Sequence, residues 1–315
     1  MQRRHPKSAA TEKCNPRSRG LDLKSTAQVL RILNHEDAQV ARAVARILPQ
    51  IARAVEKIVD ALTHGGRLIY VGAGTSGRLG ALDAAECPPT FGIKRGIVVG
   101  VMAGGRRALT EAVEGAEDSS AAGARDLAAR KLSARDVVVG LAASGGTPYV
   151  LGALQFAKRR RATTVCVTCN AGSPLARLAD IPIVIATEPE ALAGSTRLKA
   201  GTAQKLVLNM LSTAAMVRLG HVYDNWMINV AQTNRKLRRR AAGILEAAAG
   251  ATPSQARHAL AAASDDLRVA LVMLKTDANA TDARRRLKSA GGNLRRALGE
   301  TAGTPQRPRS NPARG

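Results

Sequence analysis

The run RLIYVGAGTSGR at residues 67–78 passes from an unbroken apolar stretch straight into a loop of glycine, serine and threonine. An apolar run without alternation suits a strand buried on both faces, as in a parallel sheet covered by helices. Four more such runs follow: RGIVVGVM (95–102), DVVVGLA (136–142), TTVCVT (163–168) and IPIVIA (181–186), with helical or polar stretches between them. The expected fold class is therefore α/β, a five-stranded parallel sheet flanked by helices.

Outward from this centre the texture changes on both sides. Upstream, Ser25 and Gln28 have capping-box spacing. Val40, Val44, Ile47, Ile51, Val55, Ile58 and Leu62 then recur every three or four positions. That pattern predicts one long amphipathic helix, or two joined near Pro49, closed by Gly65 and Gly66. Downstream, residues 202–219 predict a strong closing helix, and beyond about residue 235 the chain is rich in Ala and Arg, with breaks at Gly250, Pro253 and Gly291-Gly292. The expected organisation is a basic, loosely ordered segment (1–20), an α/β domain with its N-terminal helices (21–235), a small C-terminal helical bundle (240–300) and a disordered tail (304–315).

A chain of 315 residues that is 45% hydrophobic can bury a full core and a second, smaller one. Only six aromatics are present, so that core is built from Ala, Val, Leu and Ile. No run approaches 18 consecutive apolar residues, and MQRRHPKSAATEKC has no apolar stretch behind its basic residues, which predicts a cytoplasmic protein with no membrane partner. Cys14, Cys87, Cys166 and Cys169 are too scattered for a disulfide framework. The spacing of Cys166 and Cys169 would suit half a zinc site, but no second ligand pair accompanies it, and the five histidines form no ligand spacing.

The net charge of +24 raises the question of nucleic acid. Its distribution answers against it: residues 1–24 hold seven Lys/Arg against two acids, and residues 235–315 hold seventeen against six. The basic runs lack interleaved aromatics, as expected of solvated faces.

In open α/β sheets ligands sit beyond the carboxyl ends of the strands. Three of those loops are rich in Gly, Ser and Thr: Gly72-Ala73-Gly74-Thr75-Ser76-Gly77-Arg78, Ala143-Ser144-Gly145-Gly146-Thr147-Pro148-Tyr149, and Gly194-Ser195-Thr196-Arg197-Leu198-Lys199. Amides, hydroxyls and a helix N-terminus suit a phosphate, and three such loops point to a phosphosugar. The first also matches the dinucleotide pattern, but the second run leads into Gly100-Val101-Met102-Ala103-Gly104-Gly105 with no acid for a ribose, and Pro88-Pro89 leaves little room for a long helix. Glu86, beyond the first loop, and Glu117, expected on the helix after the second strand, are candidate acid/base carboxylates, though spacing alone does not show that they meet.

The runs GGRLIYVGAGTSGRLGALDAAECPPTFG (65–92), AVEGAED (112–118) and GSTRLKAGTAQKLVLNMLSTAAMVRLG (194–220) closely resemble the N-acetylmuramic acid 6-phosphate etherase family, with similarity extending over roughly residues 11–300. The resemblance implies a sugar isomerase domain with a C-terminal bundle resembling a ubiquitin-associated domain, a homodimer, and cleavage of a lactyl ether without metal or cofactor. It implies Glu86 as proton donor and Glu117 as the second catalytic acid/base. Thr75, Ser76, Gly77, Ser144, Gly145, Thr147, Ser195, Thr196 and Lys199 are the residues expected to hold the phosphosugar, with Glu190 as a further carboxylate near it. The apolar stripe at residues 40–62 is a candidate dimer interface. The family usually has Arg where Gly146 stands, and often Asp where Asn229 stands in what reads as a linker. A non-catalytic phosphosugar-binding regulator, like the glucokinase regulatory protein, is the alternative.

Overall fold

The computed structural model describes residues 10–229 and 235–300. Residues 1–9 and the tail expected at 304–315 lie outside the described residues. The chain divides into two compact units: one runs to Pro88 and from Ile93 to Met216, the other comprises Pro89–Gly92 and the chain from Val217 onward.

In the first unit, α1 (Thr26–Asp37) starts at the capping box of Ser25 and Gln28 that the spacing requires. It is followed by α2 (Val40–Ala45) and α3 (Leu48–Thr63). The chain thus forms three helices where one or two were expected. Pro49 lies in the first turn of α3, where a missing N–H has no helical partner to lose. The apolar stripe packs into the chain's own core: Val40, Val44, Ile51 and Ile58 are 2%, 1%, 3% and 0% exposed. It is therefore not available as the dimer face suggested by its pattern. Residues 10–20 also depart from expectation, forming short 3-10 turns with Thr11 and Asn15 buried.

The sheet comprises β1 (Leu68–Gly72), β2 (Val98–Met102), β3 (Val137–Leu141), β4 (Thr163–Thr168) and β5 (Ile181–Val184), all parallel, in the order β2-β1-β3-β4-β5. Every residue of β1 and β3 is buried, which is why these runs read as continuous apolar strings. Helices α4 (Gly74–Phe91), α5 (Ser120–Ala129), α6 (Pro148–Arg159), α7 (Pro174–Leu178) and α8 (Lys199–Arg218) complete the layers. Helix α4 runs through Pro88 and Pro89, contrary to the expectation that these prolines leave little room for a long helix. Their fixed φ is helical, although each lacks the N–H that would bond the carbonyl four residues back and sets its ring against that carbonyl.

Helices α5 and α6 meet backbone to backbone. A β-carbon on Gly123 would stand 2.0 Å from the carbonyl oxygen of Tyr149, and one on Gly152 would stand 2.0 Å from that of Ser120. Under this seam, Leu127, Tyr149, Val150 and Leu154 pack with Ile69, Val71 and Val138 of the sheet.

The second unit holds a two-residue hairpin, β6 (Val222–Tyr223) with β7 (Trp226–Met227), and the helices α9 (Arg235–Ala249), α10 (Pro253–Ala262), α11 (Leu267–Thr276), α12 (Ala280–Ser289) and α13 (Leu294–Ala297). Their core includes Leu245, Leu260, Leu271, Val272 and Leu294, forming a small helical bundle. Asn229 is not a free linker residue: its amide lies 2.7 Å from His221 Nδ1, and that nitrogen lies 3.0 Å from the carbonyl of Phe91.

All four cysteines are free, with Cys14 exposed and the other three buried. Burial pushes the Cys166 and Cys87 thiols up to about 12 and Cys169 to about 11. Titration of the native protein with a disulfide reagent at pH 8 is expected to modify Cys14 quickly and the other three only on denaturation. Fast reaction of a second thiol would contradict the buried assignment.

Candidate active site

The strand order sets where a ligand can sit. From β1 the chain crosses to β2 on one side and then returns to β3 on the other, so the topological switch lies between β1 and β3. The loops leaving these two strands are the 73–77 and 144–147 loops. Two of the three Gly/Ser/Thr loops thus flank the crevice that this topology opens.

Thr75, Ser76 and Gly77 form the first turn of α4, at the positive end of an 18-residue helix, where the Gly77 N–H already donates to the Ala73 carbonyl at 3.1 Å. The buried Ser76 hydroxyl donates to Gln204 Oε1 at 2.8 Å. Gln204 lies on α8, and a β-carbon at Gly201 would be 3.4 Å from both Thr75 Cγ2 and the Thr196 carbonyl oxygen. The third loop, although it follows the edge strand β5, is therefore returned to the first.

The second loop is tightly built. Gly145 has φ +68°, and a β-carbon there would stand 2.2 Å from Ser173 Oγ, so only glycine fits. Ser144 Oγ accepts the Gly146 N–H at 3.3 Å, and Thr147 stands at the N-cap of α6 without using its hydroxyl as a cap. Gly146 is exposed and has only Ser144 Oγ, 3.9 Å away, near the site of a β-carbon.

Glu117 lies in the turn before α5, which is capped by Ser119, and not on the helix where it was expected. Its carbonyl accepts the Tyr149 N–H at 2.9 Å, which ties its turn to the end of the 144–147 loop. Tyr149 is itself pinned: its hydroxyl donates to Asp126 Oδ2 at 2.5 Å, and burial with Asp126 raises its pKa. Glu86 is exposed on α4, about 15 Å of helix beyond Ser76. Within one chain, the structure ties Glu117 to the second loop and leaves Glu86 apart. Asp83, one turn before Glu86, turns inward to accept from Ser212 at 3.0 Å, and burial raises its pKa.

Glu190 and Lys199 serve the framework. Both oxygens of the buried Glu190 carboxylate accept amides at the start of α8, those of Lys199 and Ala200, each at 2.9 Å. Burial raises the Glu190 pKa in spite of these bonds. Lys199 is 2% exposed, and its ammonium donates to Glu36 Oε2 at 2.5 Å. In this structure the two groups expected near substrate are engaged in a helix cap and a buried ion pair. Sequence reasoning missed Glu36 and Gln204, because a lone acid or amide in a helix carries no local signal of burial. Among the described residues no group of His, Cys, Asp and Glu is placed to hold a metal ion, and no helix is long and apolar enough to cross a membrane.

Comparison with known proteins agrees with this architecture. A model of the SIS domain matches residues 105–214, and one of the glucokinase regulatory protein N-terminal SIS domain matches residues 50–158. A phosphoheptose isomerase structure from Francisella tularensis superposes with a TM-score of 0.51 at 19% identity, covering 62% of this chain and all of that one. N-acetylmuramic acid 6-phosphate etherase 1 of Bacillus licheniformis is 48% identical over 298 residues, 95% of this chain and 98% of its own. The N-acetylmuramic acid 6-phosphate etherase of Serratia proteamaculans is 52% identical over 288 residues, 91% and 97% of the two chains. With identity this high along nearly the whole of both chains, on a sheet whose switch point lies between two Gly/Ser/Thr loops, this chain belongs to the N-acetylmuramic acid 6-phosphate etherase family.

Proposed function

We propose that the protein cleaves the D-lactyl ether of N-acetylmuramic acid 6-phosphate, giving N-acetylglucosamine 6-phosphate and D-lactate, in the recycling of cell-wall amino sugars. The observation that carries this reading is the match to the etherases over more than nine-tenths of this chain, and the runs that resemble the family contain Glu86 and Glu117. In the ring-opened sugar the C1 aldehyde acidifies the C2 proton. Glu117 removes that proton, the C3–O bond breaks as Glu86 protonates the departing lactate oxygen, and a C2–C3 double bond forms. Water then adds across it, hydroxyl to C3 and proton to C2. One carboxyl must be protonated and the other ionised as the reaction begins.

Thr75, Ser76, Gly77, Ser144, Gly145, Thr147, Ser195 and Thr196 form the phosphate site, which binds through the hydroxyls of Thr75, Ser144, Thr147, Ser195 and Thr196 and the N-termini of α4 and α6. The enzyme works as a cytoplasmic homodimer, in which a second copy brings Glu86 to the loops that its own helix carries it away from. The test is incubation of the purified full-length protein with N-acetylmuramic acid 6-phosphate. D-lactate and N-acetylglucosamine 6-phosphate are expected in equal amounts, and sugar-phosphate binding without lactate release would replace this reading with that of a regulator.

Gly146 offers a second test. The open space at its β-carbon position admits a side chain. Gly146→Arg, which restores the residue usual in the family, is expected to leave the melting temperature unchanged and to lower KM by about tenfold through a charge-assisted contact to an anionic substrate. Steady-state kinetics decides it, and an unchanged KM would mean that another group already makes this contact.

A further inference from the structure

The chain between β5 and α8, residues 185–198, contains no helix or strand, yet it carries Ser195 and Thr196. A connection of this length is ordered only by what it touches. One set of anchors is formed by the Glu190 carboxylate, which accepts the Lys199 and Ala200 amides at the start of α8. The others come from the opposite end of the chain. The Gly194 N–H donates to the Thr11 carbonyl at 3.2 Å, Asn15 Nδ2 donates to the Pro189 carbonyl at 3.1 Å, and Arg17 Nη2 donates to Glu188 Oε2 at 2.8 Å. The Thr196 N–H in turn donates to the Gly194 carbonyl at 3.0 Å, so the position of Gly194 passes directly to the hydroxyl-bearing turn.

The N-terminal residues are themselves fixed to a buried carboxylate. Glu36, 1% exposed, accepts from Asn15 Nδ2 at 2.8 Å, from Arg17 Nε at 2.5 Å and from Lys199 Nζ at 2.5 Å. Lys199 is the first residue of α8, immediately after the loop. One carboxylate therefore joins the N-terminal segment, α1 and the end of the loop. The burial of Thr11 (1% exposed) and Asn15 (3%) indicates that this segment is part of the packed structure.

We infer that residues 11–17 act as a strap that sets the geometry of the 194–198 loop, with Asn15 and Arg17 as positioning residues for phosphate binding. This rests on the proposed role of Ser195 and Thr196. Neither strap residue touches substrate. Asn15 links Glu36 to the loop carbonyl, and Arg17 links the same carboxylate to Glu188. A loop that shifts when either link is cut loses hydrogen bonds to the phosphate in ground state and transition state alike, which raises KM and leaves kcat in place.

The experiment uses the full chain as wild type, Asn15→Ala, Arg17→Ala and Arg17→Lys. Lactate release is measured by steady-state kinetics, and N-acetylglucosamine 6-phosphate binding by calorimetry. Asn15→Ala and Arg17→Ala are expected to raise KM and Kd together by about tenfold, with kcat within twofold of wild type. Arg17→Lys, which keeps the charge beside Glu36 but loses the planar fork, is expected to fall between wild type and Arg17→Ala. Lower melting temperatures with unchanged KM and Kd would overturn the inference, since a segment that only stabilises the fold alters the amount of active protein and not its affinity. Should wild type bind the sugar phosphate but release no lactate, the etherase reading fails, and Kd still decides the strap. Absence of any sugar-phosphate binding by wild type overturns both.

Discussion

Glu86→Gln and Glu117→Gln are each expected to lower D-lactate release by about 10²- to 10⁴-fold, the range that a positioned general acid or base contributes. Stability should not follow. Both side chains are exposed, and neither has a hydrogen-bond or ion-pair partner among the described residues, so the amides should change stability by less than about 0.5 kcal/mol. The two roles separate in deuterium oxide. Glu117→Gln should abolish solvent exchange at C2, whereas Glu86→Gln should still exchange C2 in unreacted substrate while failing to expel lactate. A variant of either residue that retains more than about a tenth of wild-type turnover would remove that residue from the mechanism.

The largest stability effect is expected at Glu36. Glu36→Gln leaves the Lys199 ammonium buried beside a neutral amide, and breaking a buried pair from one side costs about 3–5 kcal/mol. Lys199→Met should cost less, because Arg17 and Asn15 still satisfy the carboxylate. Burial by itself would raise the Glu36 pKa, but the hydrogen bonds from Arg17 and Lys199 outweigh it and hold the carboxyl at about 2, against an ordinary 4.5. Since the folded state binds the proton more weakly than the unfolded chain, the contribution is fully present above about pH 4.5 and is lost as the pH falls toward about 2. Urea unfolding at pH 7, 4 and 2.5 should show wild type converging on Glu36→Gln at the acid end. A gap that stays constant across that range would mean that the carboxylate's charge is not what stabilises the fold.

The central strands β1 and β3 were legible because they are buried on both faces, so their composition alone marked them. The loops were legible because phosphate-type turns need residues whose chemistry shows in sequence. Other features had no such signature. The breaks between α1, α2 and α3 contain neither Gly nor Pro to mark them. Pro88 and Pro89 misled because their helical φ lets α4 continue to Phe91 in spite of their local cost, and nothing in the neighbouring residues marks this. Glu36 looks like any helical surface acid until the fold brings Asn15, Arg17 and Lys199 to it. One omission could have been avoided: Asp224-Asn225 between β-formers is a hairpin signal, and Asp224 does take φ +53°.

The seam between α5 and α6 carries a consequence for variation in this protein. Elsewhere in the core a lost methylene can be offset by a gained one across the contact. Where Gly123 meets the Tyr149 carbonyl and Gly152 meets that of Ser120, no side-chain volume is present to exchange. The Glu117 turn leads into α5 and the 144–147 loop leads into α6, so the spacing between that turn and that loop is set by peptide dimensions. It works as a gauge block: mutational drift can remove it, but cannot recalibrate it.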